Sequence, residues 1–342
     1  MKVLICGYVG GGNCGDEAIC DRLIAAIRAQ GDRVKLLSLT PSESMVLHHI
    51  PALSRRFPKP INALWECDLF VLGGGTLLQM QTSRRSAVYY LSLAALAAAM
   101  GKPWVLLGGI DPLSGGVGKL AKAILPTARA FFLRDRDSLQ RAKSLAPCVP
   151  RFYLPDSALL PFEKSTSDRE MPHFPYAIIC PKAGVREKTV APIVQAIKKR
   201  GLRLVFLAMS REDEGICAAL SANFGGVWVS VMTPSAPAAR RVRAEVLLPD
   251  LPPRSPHHYF AALPCEIACR LIAGAEEVHS ARLHGLIFAK KVGVQANILP
   301  DGTKQWKLYG FCPHPPAFLK ESGAKNLQKN SANTCRAGIT TK

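Results

Sequence analysis

Val278-His279-Ser280-Ala281-Arg282-Leu283-His284-Gly285-Leu286-Ile287-Phe288-Ala289 reads as strand, tight turn and helix. An apolar segment, 271–275, leads into Glu276-Glu277 and a short extended run, and Leu286, Ile287 and Phe288 then begin an apolar helix. The turn lifts Arg282 and His284 to the carboxyl end of a strand, beside a helix N-terminus. In open α/β sheets that edge is where ligands bind, and a helix N-terminus favours anions. A permanent cation next to a titratable imidazole points to an anionic substrate and a proton transfer. A capping Ser280, a solvated Arg282 and a packed His284 would also satisfy the local sequence.

Outward from this stretch the same alternation repeats. Toward the N-terminus, apolar runs predict strands at 2–7, 34–39, 67–72, 105–110 and 130–133. Between them, 3.6-residue periodicity predicts helices at 16–29, 86–100, 117–125 and 135–145. Segment 163–173 is polar, contains Ser and Pro, and lacks apolar periodicity, so it reads as an interdomain linker. The alternation then restarts, with strands at 176–180, 202–209 and 227–231 and helices at 188–200, 212–224 and 265–273. Strands alternating with helices mean parallel α/β. The expected architecture is two Rossmann-like domains facing a cleft. One spans 1–165 and the other 174–312, the second carrying Arg282-Leu283-His284. Residues 313–342 are a polar, basic tail expected to be poorly ordered.

A chain of 342 residues, 48% hydrophobic, can bury two cores of ordinary size. Lys and Arg number 44 against 25 Asp and Glu, a formal charge of +19, spread along the chain without a basic block. That distribution excludes a nucleic-acid arm. It fits small anionic substrates, or an acceptor held at an anionic membrane surface through peripheral contact. The eleven cysteines include no Cys-x-x-Cys pair and no zinc spacing, so no metal is expected and the thiols read as buried and free in a reducing cytosol. The most membrane-like segment, 89–100, falls short of the roughly 20 residues a span needs. The N-terminus reads as a strand rather than a signal peptide. A cytoplasmic protein, working at the inner membrane face, is the expectation.

Gly10-Gly11-Gly12-Asn13-Cys14-Gly15 satisfies the dinucleotide fingerprint Gly-x-Gly-x-x-Gly. Two features oppose that reading. Asp16-Glu17 put carboxylates where a pyrophosphate needs positive potential. The next strand ends Leu37-Ser38-Leu39-Thr40, with no acid for a ribose. Asp16 could instead accept hydrogen bonds from a polyhydroxylated acceptor, or serve only as a first-turn helix acid. A second glycine loop, Gly73-Gly74-Gly75-Thr76, ends another strand and is either a ligand loop or a packing turn.

Taken together, four segments resemble the polysaccharide pyruvyl transferases. Gly7-Tyr8-x-Gly10-x-x-Asn13-x-Gly15-Asp16-Glu17-Ala18-Ile19 looks like that family's opening motif. Gly73-Gly74-Gly75-Thr76-Leu77-Leu78-Gln79, followed by Ser83-x-Arg85-Ser86-x-x-Tyr89-Tyr90, is similar to its second. Phe132-Leu133-Arg134-Asp135-Arg136-Asp137-Ser138 resembles its Arg-Asp-x-x-Ser segment, with Asp156 in the Asp-x-Ala-like segment that follows. Ser280-x-Arg282-Leu283-His284-Gly285 resembles its C-terminal signature. Asp111 stands where the family pattern has glycine. The branch that modifies bacterial cell-wall polymers is the most similar.

The resemblance implies a GT-B-like pair of domains and no cofactor, with phosphoenolpyruvate as co-substrate. The acceptor would be an amino-sugar-containing, lipid-linked saccharide, and the product a cyclic pyruvate ketal plus phosphate. His284 would be the catalytic acid. Arg282, Ser280, Arg186 and Lys182 would bind the donor. Asn13, Asp16, Glu17, Gly74, Gly75, Thr76, Gln79, Arg85, Asp111, Arg134 and Asp135 would line the acceptor side of the cleft. Two other readings fit the same architecture: a nucleotide-sugar glycosyltransferase, whose ribose acid would have to be Asp301, and a sugar-binding family member without turnover.

Overall fold

The apolar runs of the first half become β1 (Lys2–Cys6), β2 (Arg33–Ser38), β3 (Ala52–Ser54), β4 (Leu69–Gly73), β5 (Trp104–Gly108), β6 (Ala130–Leu133) and β7 (Arg151–Tyr153). The computed structural model describes residues 1–81, 83–160, 174–232 and 264–299. These seven strands form one sheet in the order β3-β2-β1-β4-β5-β6-β7, parallel throughout. The central strands are buried along all but their first residue, as a parallel sheet covered on both faces requires. In register, Val3 lies between Val34 and Leu69.

Helices α1 (Cys14–Ala29) and α2 (Pro41–His48) follow β1 and β2. Helices α3 (Lys59–Glu66), α4 (Arg84–Ala99), α5 (Gly115–Ile124) and α6 (Arg136–Leu145) follow β3 to β6. Leu64, Leu91, Ala94, Ala121 and Ala142 from the latter set pack with Leu4, Phe70, Leu72 and Leu106 in one core. Cys20 and Ile24 of α1 pack with Val3, Ile5, Val34 and Leu36 in another.

The second half repeats the plan. Strands β8 (Tyr176–Cys180), β9 (Arg203–Ala208), β10 (Val227–Ser230), β11 (Glu277–Ser280) and β12 (Gln295–Ile298) form a parallel sheet ordered β10-β9-β8-β11-β12. Its helices are α7 (Glu187–Lys199), α8 (Glu214–Phe224), α9 (Pro264–Ala273) and α10 (Leu283–Val292). In each sheet the strand order reverses direction beside the first strand, between β1 and β4 and between β8 and β11. Those reversals open a crevice at the carboxyl ends.

Helix α1 belongs to both units. Its Cys14, Ala18 and Ile19 pack with Ile178, Cys180, Cys265 and Ile287 of the second sheet and its helices. Just ahead of it, Asn13 and Ser210 pair as an antiparallel bridge, Arg211 N donates to Gly12 O (3.0 Å) and Cys14 N donates to Met209 O (2.9 Å). The first glycine loop is thus the floor on which the two sheets meet.

Most predicted elements appear with ends shifted by at most two residues, and five elements are additions. α2, β3, α3 and β7 are each eight residues or shorter, too short for a repeating apolar pattern to mark them in the sequence. β12 is a fifth addition, following directly on the motif helix α10. The linker expected at 163–173 and the tail at 313–342 lie outside the described residues. Among the described residues no helix is long and apolar enough to cross a membrane, and no group of three His, Cys, Asp or Glu could hold a metal.

Candidate active site

The floor is built from the chain's own caps. Asn13 Oδ1 accepts from Gly15 N (2.9 Å) and Asp16 N (3.4 Å), capping α1. Glu17 is 2% exposed and turns beneath the loop, where it accepts from Gly10 N (2.8 Å) and meets His48 Nε2 at 2.9 Å. Side chains of this protein therefore hold amides that a dinucleotide phosphate would use. Glu17 also departs from the acceptor-side position expected of it: it supports the loop from below.

The wall rises from β4, β6 and β7. Gly75, at φ +61°, lets its loop press against α1, for a Cβ there would stand 2.6 Å from Asp16 Oδ1. Beside it, Thr76 Oγ1 accepts from an Arg134 amino group (2.7 Å), and the other Arg134 amino group donates to Asp156 Oδ2 (2.8 Å). Asp156 Oδ1 accepts from Ala158 N (3.1 Å). Arg134 and Asp156 follow β6 and β7, so the sheet order sets them side by side.

The second sheet closes the site from above. Ser280 Oγ accepts from Arg282 N (3.0 Å) and donates to Arg282 O (2.7 Å), which shapes the turn after β11. His284 then sits in the first turn of α10, directly over α1. A Cβ on Gly15 would fall 1.9 Å from His284 Nδ1, so only glycine fits under the imidazole. His284 Nε2 is buried, has no hydrogen-bond partner among the described residues, and lies 3.8 Å from Asp156 Oδ2. α10 starts without a side-chain cap; Gly285 N donates to Arg282 O (3.2 Å), and the amides of Leu283 and His284 ahead of it are placed for a ligand.

Electrostatics divide these groups. Burial pushes the His284 imidazole down to about 4; Asp156 opposes this, while Arg134 and Arg282 add to it. Burial alone would raise Asp156, yet His284, Arg134 and the Ala158 N–H hold it below the usual carboxylate range. Asp16 is lifted to about 7 by desolvation in the cleft, then by Glu17 and Asp156 against the pull of Arg134 and Arg282. A neutral imidazole and a carboxyl that titrates near neutrality, on facing elements, are what an acid–base pair requires.

The structure brings Asn13, Asp16, Gly75, Thr76, Arg134 and His284 together, with Gly74 in the same loop. Arg282 is near but engaged. Its Nε donates to Asp213 Oδ2 (2.8 Å), and an amino group reaches both Asp213 and Glu212, the latter at 2.9 Å. The fork expected to grip the donor is filled by two carboxylates. Ser280 shapes the turn. Asp135 caps α6, accepting from Ser138 N (2.7 Å) and Ser138 Oγ (2.8 Å). Arg85 is exposed in the first turn of α4, and Lys182 and Arg186 are exposed on the loop after β8. That loop abuts Asp213, which accepts from Ala183 N (3.0 Å). Gln79 and Asp111 flank the Leu78–Ile110 bridge, where Asp111 N donates to Leu78 O (2.9 Å). Sequence reasoning left Asp156 and Asp213 out of the site. The Asp-x-Ala-like segment was the signal for Asp156; nothing local marks Asp213. Asp301, the ribose acid a glycosyltransferase would need, lies outside the described residues.

Comparison with known proteins fits this geometry. The family model described as polysaccharide pyruvyl transferase matches residues 13–297. No curated protein matches the chain. Among solved structures, the UDP-GlcNAc 2-epimerase from Neisseria meningitidis bound to UDP-GlcNAc is similar at TM-score 0.53 and 12% identity, over 91% of this chain and 85% of that one. The UDP-GlcNAc 2-epimerase from Methanocaldococcus jannaschii gives 0.52 and 10%, over 90% and 86%. A candidate UDP-N-acetylglucosamine 2-epimerase from Listeria monocytogenes gives 0.55 and 10%, over 88% and 79%. At such identities the likeness shows the fold alone: two Rossmann-like units of GT-B type.

Proposed function

From the premise that this chain belongs to the polysaccharide pyruvyl transferase family, we propose that it transfers the enolpyruvyl carbons of phosphoenolpyruvate to two hydroxyls of a saccharide. The product is a cyclic pyruvate ketal, and phosphate is released. The observations that carry this reading are the unsatisfied His284 Nε2, with its imidazole over Gly15, and at the next residue of α1 Asp16, a carboxyl pushed up to about 7.

The chemistry needs a proton at the enol methylene and a base at the sugar hydroxyl. His284 supplies the first. In the empty site it is neutral, and the negative charge of bound donor raises its proton affinity, so it becomes an acid only when substrate is present. Asp16 takes the proton of the attacking hydroxyl as its oxygen bonds to C2. A second hydroxyl then displaces phosphate from C2, and its proton leaves with the phosphate. The proton held by Asp16 passes to His284 between turnovers, so that of the two hydroxyl protons one ends in a new methyl group by way of Asp16 and His284 and the other on inorganic phosphate.

Arg134 and the first amides of α10 offer positive potential to the donor. Lys182 and Arg186, exposed at the mouth, add mobile charge. Arg282 serves the same site once Glu212, which is 62% exposed, gives way; Asp213 keeps the guanidinium in place. The acceptor is an amino-sugar-containing saccharide, lipid-linked in a cell-wall pathway. Incubation with phosphoenolpyruvate and a panel of amino-sugar saccharides should release phosphate and give a product heavier by a pyruvate ketal. Phosphate release absent from every acceptor, with the protein folded, would overturn the reading.

A further inference from the structure

Helix α3 buries Pro60, Ala63 and Leu64 against the first sheet. Its other side leaves large apolar groups in water. Phe57, just ahead of the helix, is 50% exposed, Ile61 38% and Trp65 70%. Ile61 and Trp65, four apart on the helix, share one face, and Phe57 lies just ahead of it. Scattered exposed apolar residues are ordinary, but three along one short segment, ending in a tryptophan, form a surface.

The charges at the start of the stripe are of one sign. Arg56 and Lys59 are exposed at its start, and Arg84 and Arg85 are exposed in the first turn of α4. The edge-on contact of Phe57 with Tyr89 of α4, ring centres 6.3 Å apart, joins the two helix starts. None of these four cations has a carboxylate partner among the described residues. The nearby acids are already answered: Glu66 by Lys35 at 2.5 Å, and Asp68 by Lys2 N at 2.7 Å. At the far end, Lys102 donates to Trp65 O (2.7 Å) and Cys67 O (2.9 Å), placing one more cation beneath the tryptophan.

We propose that the Phe57–Ile61–Trp65 stripe and its rim of Arg56, Lys59, Arg84 and Arg85 form a docking surface for an anionic lipid bilayer. An apolar strip one helix wide, with cations on its flanks, matches an interface where hydrocarbon lies just under negative headgroups. Tryptophan at the water boundary fits the same place. The charge of the whole chain, +19, adds attraction at longer range. Position gives the surface a use. α3 begins past the carboxyl end of β3 and runs back toward the start of β4, so Phe57 and Arg56 lie toward the cleft edge and Trp65 toward the opposite one. Docking would lay this side of the first sheet's layer on the bilayer, with the cleft opening beside a lipid-linked saccharide.

The surface is independent of the pyruvyl chemistry, and the two are tested apart. Flotation of the full chain with vesicles of phosphatidylcholine, with and without phosphatidylglycerol, should show binding only to the anionic set, weakening as salt rises. Trp65→Ser with Ile61→Ser, and separately Arg56→Glu with Lys59→Glu, should each lower that binding at least tenfold. Both pairs should keep the parent circular dichroism and the parent rate of phosphate release with a water-soluble acceptor. Trp65 emission should shift to the blue on vesicle addition, a change that Trp65→Phe removes. Absence of vesicle binding would overturn the proposal, as would binding that neither pair affects. Parent self-association that Trp65→Ser abolishes, with no vesicle binding, would assign the face to a second copy instead.

Discussion

His48 is buried and His284 nearly so, both lie within reach of α1, and their proton affinities are shifted in opposite directions. The side chain of His48 is 0% exposed and stands between Glu17 Oε2 at 2.9 Å and Asp21 Oδ1 at 3.9 Å. Burial pulls its proton affinity down, but Asp21 and Glu17 outweigh that and raise it to about 9. His284 is 13% exposed and faces one carboxylate, Asp156, at 3.8 Å, already committed to Arg134. There burial wins and the imidazole stays neutral. Burial alone does not set a histidine's charge; the number of carboxylates free to answer it does. The first histidine meets Glu17 through Nε2 and holds a loop, while its buried Nδ1 makes no hydrogen bond among the described residues and lies 3.9 Å from Asp21. The second keeps its unsatisfied Nε2 at a crevice, where a ligand can reach it.

The sharpest way to break this contrast is to remove each imidazole. His284→Gln should lower kcat for phosphate release by about 10²–10⁴ while the protein still folds and binds donor. Turnover within a few-fold of the parent would make His284 a packing residue. His48→Gln should do the reverse. It strips buried Glu17 of its cation, while Asp21 keeps Arg22, and should cost about 3–5 kcal/mol of stability, read as a fall in unfolding midpoint. Its folded fraction should turn over at the parent rate.

The pH dependence of stability sharpens the same comparison. Between its folded value of about 4 and the ordinary 6.5, His284 refuses a proton that the unfolded chain accepts, so stability falls as pH drops through that window. Between 6.5 and about 9, His48 keeps a proton that the unfolded chain releases, so its contribution is full below 6.5 and is lost as pH rises through 9. Calorimetry across both windows should show His284→Gln flattening the acid arm and His48→Gln flattening the alkaline arm. Unchanged arms in both variants would mean that other groups dominate the profile.

The smallest effect belongs to Asp156. Asp156→Asn removes the charge that supports His284 protonation, so the alkaline limb of kcat should move about one pH unit or more toward acid. A limb that stays in place would separate Asp156 from the proton transfer and leave it a partner of Arg134 only.

The amino-acid sequence carried the alternation of strand and helix, hence two parallel sheets, because apolar periodicity is a local property that burial on both faces enforces. It also carried the Arg282–His284 turn and the glycine loops, since tight turns and close approaches restrict residue type in place. It did not carry contacts between segments far apart along the chain. Asp156 reaches His284 only because β7 pairs with β6 and α10 folds back over Gly15. Arg282 looked free beside its neighbours in sequence, and Asp213, 69 residues away, fills its fork. Glu17 looked like a cleft acid and is turned under the loop by His48, 31 residues on. Which residue types stand at the site was settled locally; which are satisfied, and which are left to meet a ligand, was decided by tertiary packing, because charge state depends on partners that only the fold supplies.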